Sequence, residues 1–449
     1  MMTDNVMGLF PLYLTHRHFN ILYRCVKIAV LRSDMRILHV THQYMPEYVG
    51  GVELYTRWLA HAQMQAGHEV SIFYRRSGEG TGLESRGEDG VRVWAAWHGP
   101  VTPVRRLLAT FWDPSLIPLF ERVLDETNPE IVHVEHLMGL PVALSGTLRR
   151  RRIPFVVTLW DFWWRCANAQ LLTNYDQTVC PGPHFHYLNC ARCALARAGR
   201  PGCIVFSPFL AFLMAWRNFQ LLQVLRAAAA LIAPTTFVEH WYANHAAPRE
   251  TLRLLTPGLE HPSALPSCQR ESDGKVRFLY VGGLSFQKGL HTLLEAFAGV
   301  RGTAELWIAG DETFDPAYVM HLRSLATPNV RFLGRLTRPE VWAALVNADV
   351  VVVPSLWYET FSFLVSEGFV AGKPVLASRL GPLADRVHDG VDGLLLPPGD
   401  VMAWREALQR LVDMPDELAR LREKVRPPLS LTEHEAALTS LYSQVIAGR

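Results

Sequence analysis

The sequence lacks any uninterrupted apolar run of about 18–20 residues, the length that a membrane-spanning helix requires. Its most apolar segment runs for fourteen residues, from Cys203 to Trp216, and Pro208 interrupts it. This pattern fits either a buried helix or a lipid-facing patch. We therefore predict no membrane span, and peripheral contact with a membrane stays an open alternative.

An excess of charge of one sign is also missing, because 44 Lys and Arg residues balance 42 Asp and Glu residues among the 449. Nucleic-acid-binding proteins usually carry a basic surplus, so we expect no nucleic-acid partner. No G-x-G-x-x-G motif follows a predicted strand, which argues against a Rossmann dehydrogenase. The one dense basic run, Arg149 to Arg152, is interpreted as a cationic helix end, with attraction to an anionic membrane as the alternative.

Residues 1–34 have neither the basic start nor the cleavage site of a signal peptide. A strand pattern, Met-Arg-Ile-Leu-His-Val, begins at Met35. We interpret residues 1–34 as an N-terminal extension and hypothesise that translation starts at Met35. A genuine amphipathic anchor is the alternative.

Strand and helix signals alternate along the rest of the chain, which is typical of βαβ units and parallel sheets. The predicted class is therefore α/β, with two Rossmann-like doubly wound domains. A stretch rich in Pro, Ser and charge at 260–275 indicates the linker between a first domain at 35–259 and a second at 276–431. A capping box from Thr432 to Glu435 predicts a last helix at 432–449.

Two glutamates follow the most strongly apolar strand of the second domain. The run Val350–Val353 is typical of a parallel strand buried on both faces, and such strands end where open α/β sheets bind ligands. Glu359 falls in the loop after this strand, and Glu367 falls on the next helix, which Gly372 terminates. Carboxylates placed in this way suit the vicinal hydroxyls of a sugar or ribose.

A glycine-rich loop follows the first strand of the second domain. Gly282 and Gly283 allow the backbone to approach a phosphate closely, and Lys288 adds a positive charge. The helix that follows contributes free N–H groups and its positive dipole end. Together these features predict a diphosphate site.

The glutamate pair and this loop resemble the E-x7-E and G-R-L-x-x-x-K-G motifs of retaining GT-B glycosyltransferases of family 4, also called group 1. The resemblance implies that Glu367 binds the nucleotide ribose and that Glu359 contacts the donor sugar. It also assigns catalytic importance to Lys288 and Glu359. Many members carry Arg where Gly283 stands. The backbone amides assigned to the diphosphate or sugar are those of Ser362, Phe363 and Leu364.

The resemblance extends to the first domain. It implies that the last helix packs back on this domain and that the acceptor binds there. The pair Gly50-Gly51 resembles the glycine pair that faces the donor phosphates across the cleft. The segment Val156–Cys166 resembles V-x-T-x-H-D-x-W-x-x-C, with Trp160 in place of the histidine and Asp161 retained as a catalytic candidate. Trp cannot shuttle a proton near pH 7, so Trp160 indicates either a changed acceptor, with the ring as a sugar-stacking surface, or reduced activity. His136 is the further acceptor-side candidate.

Five of the seven cysteines fall between 166 and 203, where we predict an insertion. Their spacing permits a four-thiolate zinc site, which would stabilise a long loop without a helix or strand pattern. Unmetallated buried thiols are the alternative. The four candidate ligands are Cys166, Cys180, Cys190 and Cys193.

The resemblance implies a glycosyltransferase of class EC 2.4 that moves a sugar, with retention, from a nucleotide-diphosphate sugar to a glycan or lipid-linked acceptor in polysaccharide or glycoconjugate biosynthesis. It implies no cofactor for catalysis. Because nucleotide sugars are cytoplasmic substrates, we expect a cytoplasmic location, with peripheral contact at the inner face of the membrane as an extension. The alternatives are a non-catalytic GT-B module that binds nucleotide or glycan and, less favoured, a nucleotide-sugar epimerase.

Overall fold

The computed structural model describes residues 34–448 except 79, 100–107, 112 and 268–272. The predicted extension, residues 1–34, thus lies outside the described residues apart from Asp34. The described chain forms two separate sheets with helices around them, and the predicted α/β class with two doubly wound domains is confirmed.

The first domain contains an eight-stranded sheet in the order β3-β4-β2-β1-β5-β6-β7-β8, in which β3 runs antiparallel to β4. Its strands are β1 (Arg36–Thr41), β2 (Glu69–Ser77), β3 (Gly82–Glu88), β4 (Val91–His98), β5 (Ile131–Val134), β6 (Phe155–Thr158), β7 (Ala230–Ala233) and β8 (Leu252–Leu254). Its helices are α1 (Gly51–Gln65), α2 (Leu116–Thr127), α3 (Ala143–Arg150), α4 (Leu188–Arg197), α5 (Ser207–Ala227) and α6 (Thr236–His245).

The second domain contains a six-stranded sheet in the order β11-β10-β9-β12-β13-β14, with every pairing parallel. Its strands are β9 (Val276–Val281), β10 (Ala304–Ala309), β11 (Val330–Gly334), β12 (Val350–Val353), β13 (Val375–Ser378) and β14 (Gly393–Leu396). The helices are α7 (Leu290–Phe297), α8 (Pro316–Leu325), α9 (Arg338–Asn347), α10 (Phe363–Val370), α11 (Pro382–Arg386), α12 (Val401–Asp413), α13 (Pro415–Lys424) and α14 (Leu431–Ala447).

The central strands explain why the functional loops meet at one edge. All four valines of β12 are buried, because β12 lies inside the sheet between β9 and β13 and helices cover both faces. Parallel neighbours end at the same edge, so the loops that follow β9 and β12 emerge side by side. The backbone N–H of Leu356 donates to Gln287 O at 2.8 Å and joins these two loops.

The last helix starts one residue earlier than the sequence predicts. The capping box of α14 joins Ser430 to Glu433, so the predicted box from Thr432 to Glu435 was wrong. Glu435 is buried instead, where its Oε1 accepts a hydrogen bond from Thr439 Oγ1 at 2.6 Å.

The structure also shows where the basic run at 149–152 and the apolar segment from Cys203 lie. Arg149 and Arg150 occupy the last turn of α3, which confirms the helix-end interpretation. The apolar segment from Cys203 does not stop at Trp216 but continues through α5. By length and composition alone, the segment Gly202–Ala227 is long and apolar enough to cross a membrane, although Arg217 and Asn218 interrupt its apolar side chains.

Helix α14 returns from the second domain and packs against α1 of the first. Its Tyr442 hydroxyl lies 2.6 Å from His133 Nδ1, and its His434 Nε2 lies 2.6 Å from the Tyr55 hydroxyl. All four side chains are buried. The end of the chain therefore completes the core of the first domain.

The two chain segments that connect the domains run side by side. Leu259, which leaves the first domain, and Ser430, which precedes α14, form a parallel bridge. A Cβ atom on Gly258 would lie 2.4 Å from Ser430 O, so a residue with a side chain would force these segments apart.

Candidate active site

Lys288 and Glu359 form an ion pair at the edge where β9 and β12 end. Lys288 lies in a short turn after β9, and its Nζ donates to Glu359 Oε1 at 2.7 Å. The same oxygen accepts hydrogen bonds from Ser355 Oγ at 2.7 Å and from Trp357 Nε1 at 3.0 Å. These donors fix the carboxylate in a single orientation.

The Glu359 carboxylate is buried but ionised. Burial raises its pKa, whereas the charge of Lys288 and the hydrogen bonds from Lys288, Ser355 and Trp357 lower it more, so the pKa lies below its ordinary value. A buried negative charge is tolerated only where such partners compensate for lost water.

Glu367 lies in the first turns of α10, and its partner is an arginine that the sequence analysis missed. Arg338 Nη1 donates to Glu367 Oε1 at 2.6 Å. The Arg338 guanidinium also faces the rings of Trp58 at 5.4 Å and Trp342 at 5.5 Å. Arg338 and Glu367 are 29 positions apart and meet only because β11 and β12 belong to one sheet.

Helices α1 and α10 begin next to each other, although they belong to different domains. A Cβ atom on Gly51, the first residue of α1, would lie 3.2 Å from the Phe363 ring at the start of α10. The preceding Gly50 and Ser362 cap the two helices, so the free N–H groups of both helices lie at the junction between the domains. Such N–H groups attract anions.

The backbone at the start of α10 is held in an unusual conformation. Ser362 has a φ of 60°, in the left-handed region, where a non-glycine residue is strained. Arg386 stabilises it, because its Nη1 donates to the carbonyl oxygens of Phe361 and Ser362. Leu364 is buried directly behind this turn. The amides expected to meet a ligand are therefore held in place from behind.

The glycine loop after β9 has open space at Gly283, the position where the resemblance places a cation in other members. A Cβ atom on Gly283 would meet no atom within 4 Å, whereas one on Gly282 would lie 2.9 Å from the Tyr280 hydroxyl. Tyr280 in turn donates to Gly283 O at 2.8 Å. Gly289, with a φ of 71°, brings the loop against Pro354.

On the side of the first domain, Asp161 and His136 form a pair. His136 Nε2 lies 3.1 Å from Asp161 Oδ2, and Asp161 Oδ1 accepts from the backbone N–H of Trp163 at 2.8 Å. His136 is buried, and the Asp161 carboxylate is the more accessible of the two. The pair lies at the carboxyl ends of β5 and β6.

Two residues that the sequence analysis missed extend this pair. The rings of His42 and His136 are 4.6 Å apart, and His42 Nε2 lies 4.0 Å from Glu53 Oε1. Burial raises the pKa of Glu53. The sequence signal was the position of His42 directly after β1, at the same sheet edge as the other loops.

Trp160 is packed between the domains. It is only 5% exposed, and its Nε1 donates to Glu135 Oε2 at 2.8 Å. Its ring lies 4.6 Å from that of Tyr55 and 6.1 Å from that of Phe363. Little of the ring is thus available for a sugar to stack on, and its main contacts are with the hydrophobic interface.

One group of described residues, His39, His133 and Glu135, brings three candidate metal ligands within 4.8 Å of one another. The ring nitrogens of both histidines already have hydrogen-bond partners. His39 contacts Glu135 at 3.0 Å and Gln63 at 2.7 Å, and His133 contacts Tyr442 and Thr158. We interpret this group as a buried hydrogen-bond network.

The four cysteines predicted to bind zinc lie in one region of the insertion. Cys190 interacts electrostatically with Cys166, Cys180 and Cys193. No three of these four sulfur atoms, all within the described chain, lie within 4.8 Å of one another. Tetrahedral zinc would require sulfur atoms about 3.8 Å apart. The thiols would have to move closer together to bind the metal, and zinc stays a prediction.

Comparison with known proteins gives the family. Residues 50–258 match the family model of the glycosyl transferase 4-like domain, and residues 275–414 match that of the glycosyl transferases group 1. Glycogen synthase of Mycobacterium tuberculosis is 26% identical over 411 residues, which cover 88% of this chain and 90% of that protein.

Solved structures share the fold. Sucrose-phosphate synthase of Thermosynechococcus elongatus matches with a TM-score of 0.67 and 21% identity, over 93% of this chain and 100% of that one. HepE of Anabaena, in complex with UDP and glucose, matches with a TM-score of 0.59 and 16% identity, over 92% and 98%. The chain belongs to the group 1 glycosyltransferases of family 4 and has their GT-B fold.

Proposed function

We propose that this glycosyltransferase moves a sugar from a nucleotide-diphosphate sugar to a hydroxyl group of a glycan or lipid-linked acceptor, with retention of configuration, in polysaccharide or glycoconjugate biosynthesis. The observation that carries the proposal is the ion pair of Lys288 and Glu359 beside the start of α10. The complex of HepE with UDP and glucose supports a nucleotide-sugar donor.

The positive groups at this edge match the charge of a diphosphate leaving group. Lys288 contributes a full charge, and the first N–H groups of α10, after Ser362, contribute a partial one. Both favour the diphosphate most strongly as the glycosidic bond breaks and negative charge develops. We therefore expect catalysis without a cofactor, through positioning and charge stabilisation.

Retention follows if acceptor and leaving group share one face of the sugar. The acceptor oxygen forms a bond to the anomeric carbon on the face from which the diphosphate leaves, and the departing oxygen takes the hydroxyl proton. Glu359 contacts the donor sugar in this scheme, and Glu367 binds the ribose hydroxyls.

The acceptor side is assigned to Asp161 and His136. The Asp161 carboxylate can accept a hydrogen bond from an acceptor hydroxyl, while His136 at 3.1 Å holds the other side of the carboxylate. The interaction with buried His136 orients Asp161, whose side chain is 26% exposed.

Two further properties belong to this proposal. We propose a cytoplasmic location, which the free thiols of the insertion support because disulfides are rare in a reducing compartment. We also propose that Cys166, Cys180, Cys190 and Cys193 hold a structural zinc ion, with no role in the chemistry.

The test is incubation with UDP-, GDP- and ADP-sugars, first without an acceptor. Without an acceptor, we expect a thermal shift with the sugars of one nucleotide class and slow hydrolysis of the donor. With an acceptor, proton NMR of the transferred sugar should show the same anomeric configuration as in the donor. A product of inverted configuration would contradict retention. Binding without any hydrolysis or transfer to glycan and lipid-linked acceptors would contradict the proposed reaction.

A further inference from the structure

The outward face of the turn before α5 and of α5 itself is made of large apolar side chains. Each of them is between 40% and 77% exposed. Soluble proteins rarely expose contiguous apolar patches of this extent without a binding role. We call this surface the aromatic face; its members are Ile204, Val205, Phe206, Phe209, Phe212, Trp216 and Phe219.

The opposite face of α5 is fixed in the first domain. Arg217 and Asn218 are buried there, and they donate hydrogen bonds to Trp163 O and Arg165 O, both at 2.7 Å. Removing α5 from the domain would leave a buried guanidinium and two carbonyl oxygens without these partners. The helix is therefore a surface element of the folded domain and does not cross a bilayer.

The chain segment that carries the aromatic face has charge of one sign. From Gln177 to Val238 the sequence contains no Asp or Glu and five arginines. Four of the five are exposed, and the fifth is the buried Arg217. The exposed ones are Arg192, Arg197, Arg200 and Arg226. A surface that combines exposed aromatic side chains with arginines and lacks acids complements anionic phospholipids in both polarity and charge.

We propose that the aromatic face docks on the surface of an anionic phospholipid bilayer, with α5 lying parallel to the membrane plane. The phenylalanine and tryptophan side chains enter the boundary between headgroups and acyl chains, and the arginines contact the phosphates. Salt weakens the attraction between the arginines and the phosphates, but it does not weaken the insertion of the aromatic side chains.

The position of α5 gives this docking a consequence for the reaction. Its anchors, Arg217 and Asn218, bind the loop that begins at Asp161, so docking would hold the acceptor side close to the membrane. This consequence rests on the proposed function and on a lipid-linked acceptor. The docking itself rests on neither.

The experiment is co-sedimentation of the full chain with vesicles, in the absence of donor and acceptor. Vesicles of phosphatidylglycerol and phosphatidylethanolamine are compared with vesicles of phosphatidylcholine. Wild type should bind the anionic vesicles at least about tenfold more tightly, and F209E/F212E should lose at least about tenfold in affinity, since each charge must enter the membrane boundary. The matched control is F314E, because Phe314 is 80% exposed but lies in the second domain.

Equal binding of F209E/F212E and wild type, or no binding of wild type to anionic vesicles, would overturn the proposal. So would a wild-type dimer, measured by light scattering, that F209E/F212E dissociates, because a second copy would then cover the face. Unchanged thermal unfolding of both variants shows that they fold. Since no sugar is transferred in this assay, its outcome is independent of whether the proposed reaction is correct.

Discussion

Arg338 Nη1 lies 2.6 Å from Glu367 Oε1, so the carboxylate assigned to the ribose already has a cationic partner. The guanidinium also faces Trp58 of the first domain, which places it where the two domains meet. We therefore expect Arg338 to act as a positioning residue that orients Glu367 for its proposed contact with the ribose hydroxyls.

Arg338→Ala should raise KM for the nucleotide-sugar donor about tenfold and change kcat less, because a hydrogen bond to a charged group contributes ~1.5–3 kcal/mol. Steady-state kinetics with varied donor checks this. Arg335→Ala is the matched control, since Arg335 is exposed and pairs with Asp311 at 3.6 Å. A donor KM equal to that of wild type in Arg338→Ala would refute the assignment.

Lys288→Ala should lower kcat by about 10²–10³, the usual effect of removing one group that stabilises charge in a transition state. Glu359→Gln should also lower turnover, because it removes the negative charge that the pair contributes. Lys275→Ala is a control of the same kind, since Lys275 Nζ also bonds a glutamate, Glu305, at 2.7 Å. Full activity of Lys288→Ala in a transfer assay would show that the diphosphate lies elsewhere.

Gly283→Arg should strengthen donor binding. The new side chain would enter open space and bring a second cation to the diphosphate, which is expected to lower the donor Kd about tenfold. Calorimetric titration with the nucleotide-diphosphate sugar measures this. Gly87→Arg adds the same charge in β3, where the added side chain also has room, and should leave Kd unchanged; weaker binding by Gly283→Arg would count against a phosphate at this loop.

Acid should weaken the attachment of α14. Burial lowers the pKa of both His133 and His434 from 6.5 to about 4. The unfolded chain therefore binds protons more readily, so stability is fully present above about pH 6.5 and falls as the pH approaches 4, by up to ~3 kcal/mol for each histidine.

Urea unfolding at a series of pH values between 7 and 4 measures this loss. His434→Gln should remove about half of the pH-dependent part, because one of the two titrating groups is gone. An identical pH slope in His434→Gln and wild type would exclude His434 as a source of acid sensitivity.

The zinc prediction can be decided by elemental analysis of protein purified without chelators. One zinc ion per chain is expected in wild type and in Cys203→Ser, and none in Cys190→Ser, because Cys190 is the thiol that interacts with the three other candidates. Wild-type protein free of zinc would establish the alternative of unmetallated thiols.

Sequence reasoning reached the fold because strand periodicity and glycine loops are local signals. It placed Lys288 and Glu359 at the same edge, since adjacent parallel strands end together. It could not pair Arg338 with Glu367, because that contact depends on the order of the strands in the sheet, which brings α9 and α10 together.

The same limit explains two other differences. The sequence left the segment after Cys203 as either buried or lipid-facing, because α5 is apolar on both faces and periodicity cannot choose between them. Trp160 drew attention as a replaced histidine, but only the structure shows its contacts with Glu135 and Tyr55 at the interface.

The parallel bridge between Leu259 and Ser430 gives the two lobes a common pivot, because both connections pass through it. Sliding one lobe over the other would break the bridge, whereas a hinge rotation that moves the lobes apart would only bend it. Substrate entry should therefore be a rotation of one lobe about this line. Because Gly258 has no side chain, the two segments at this hinge stay close together.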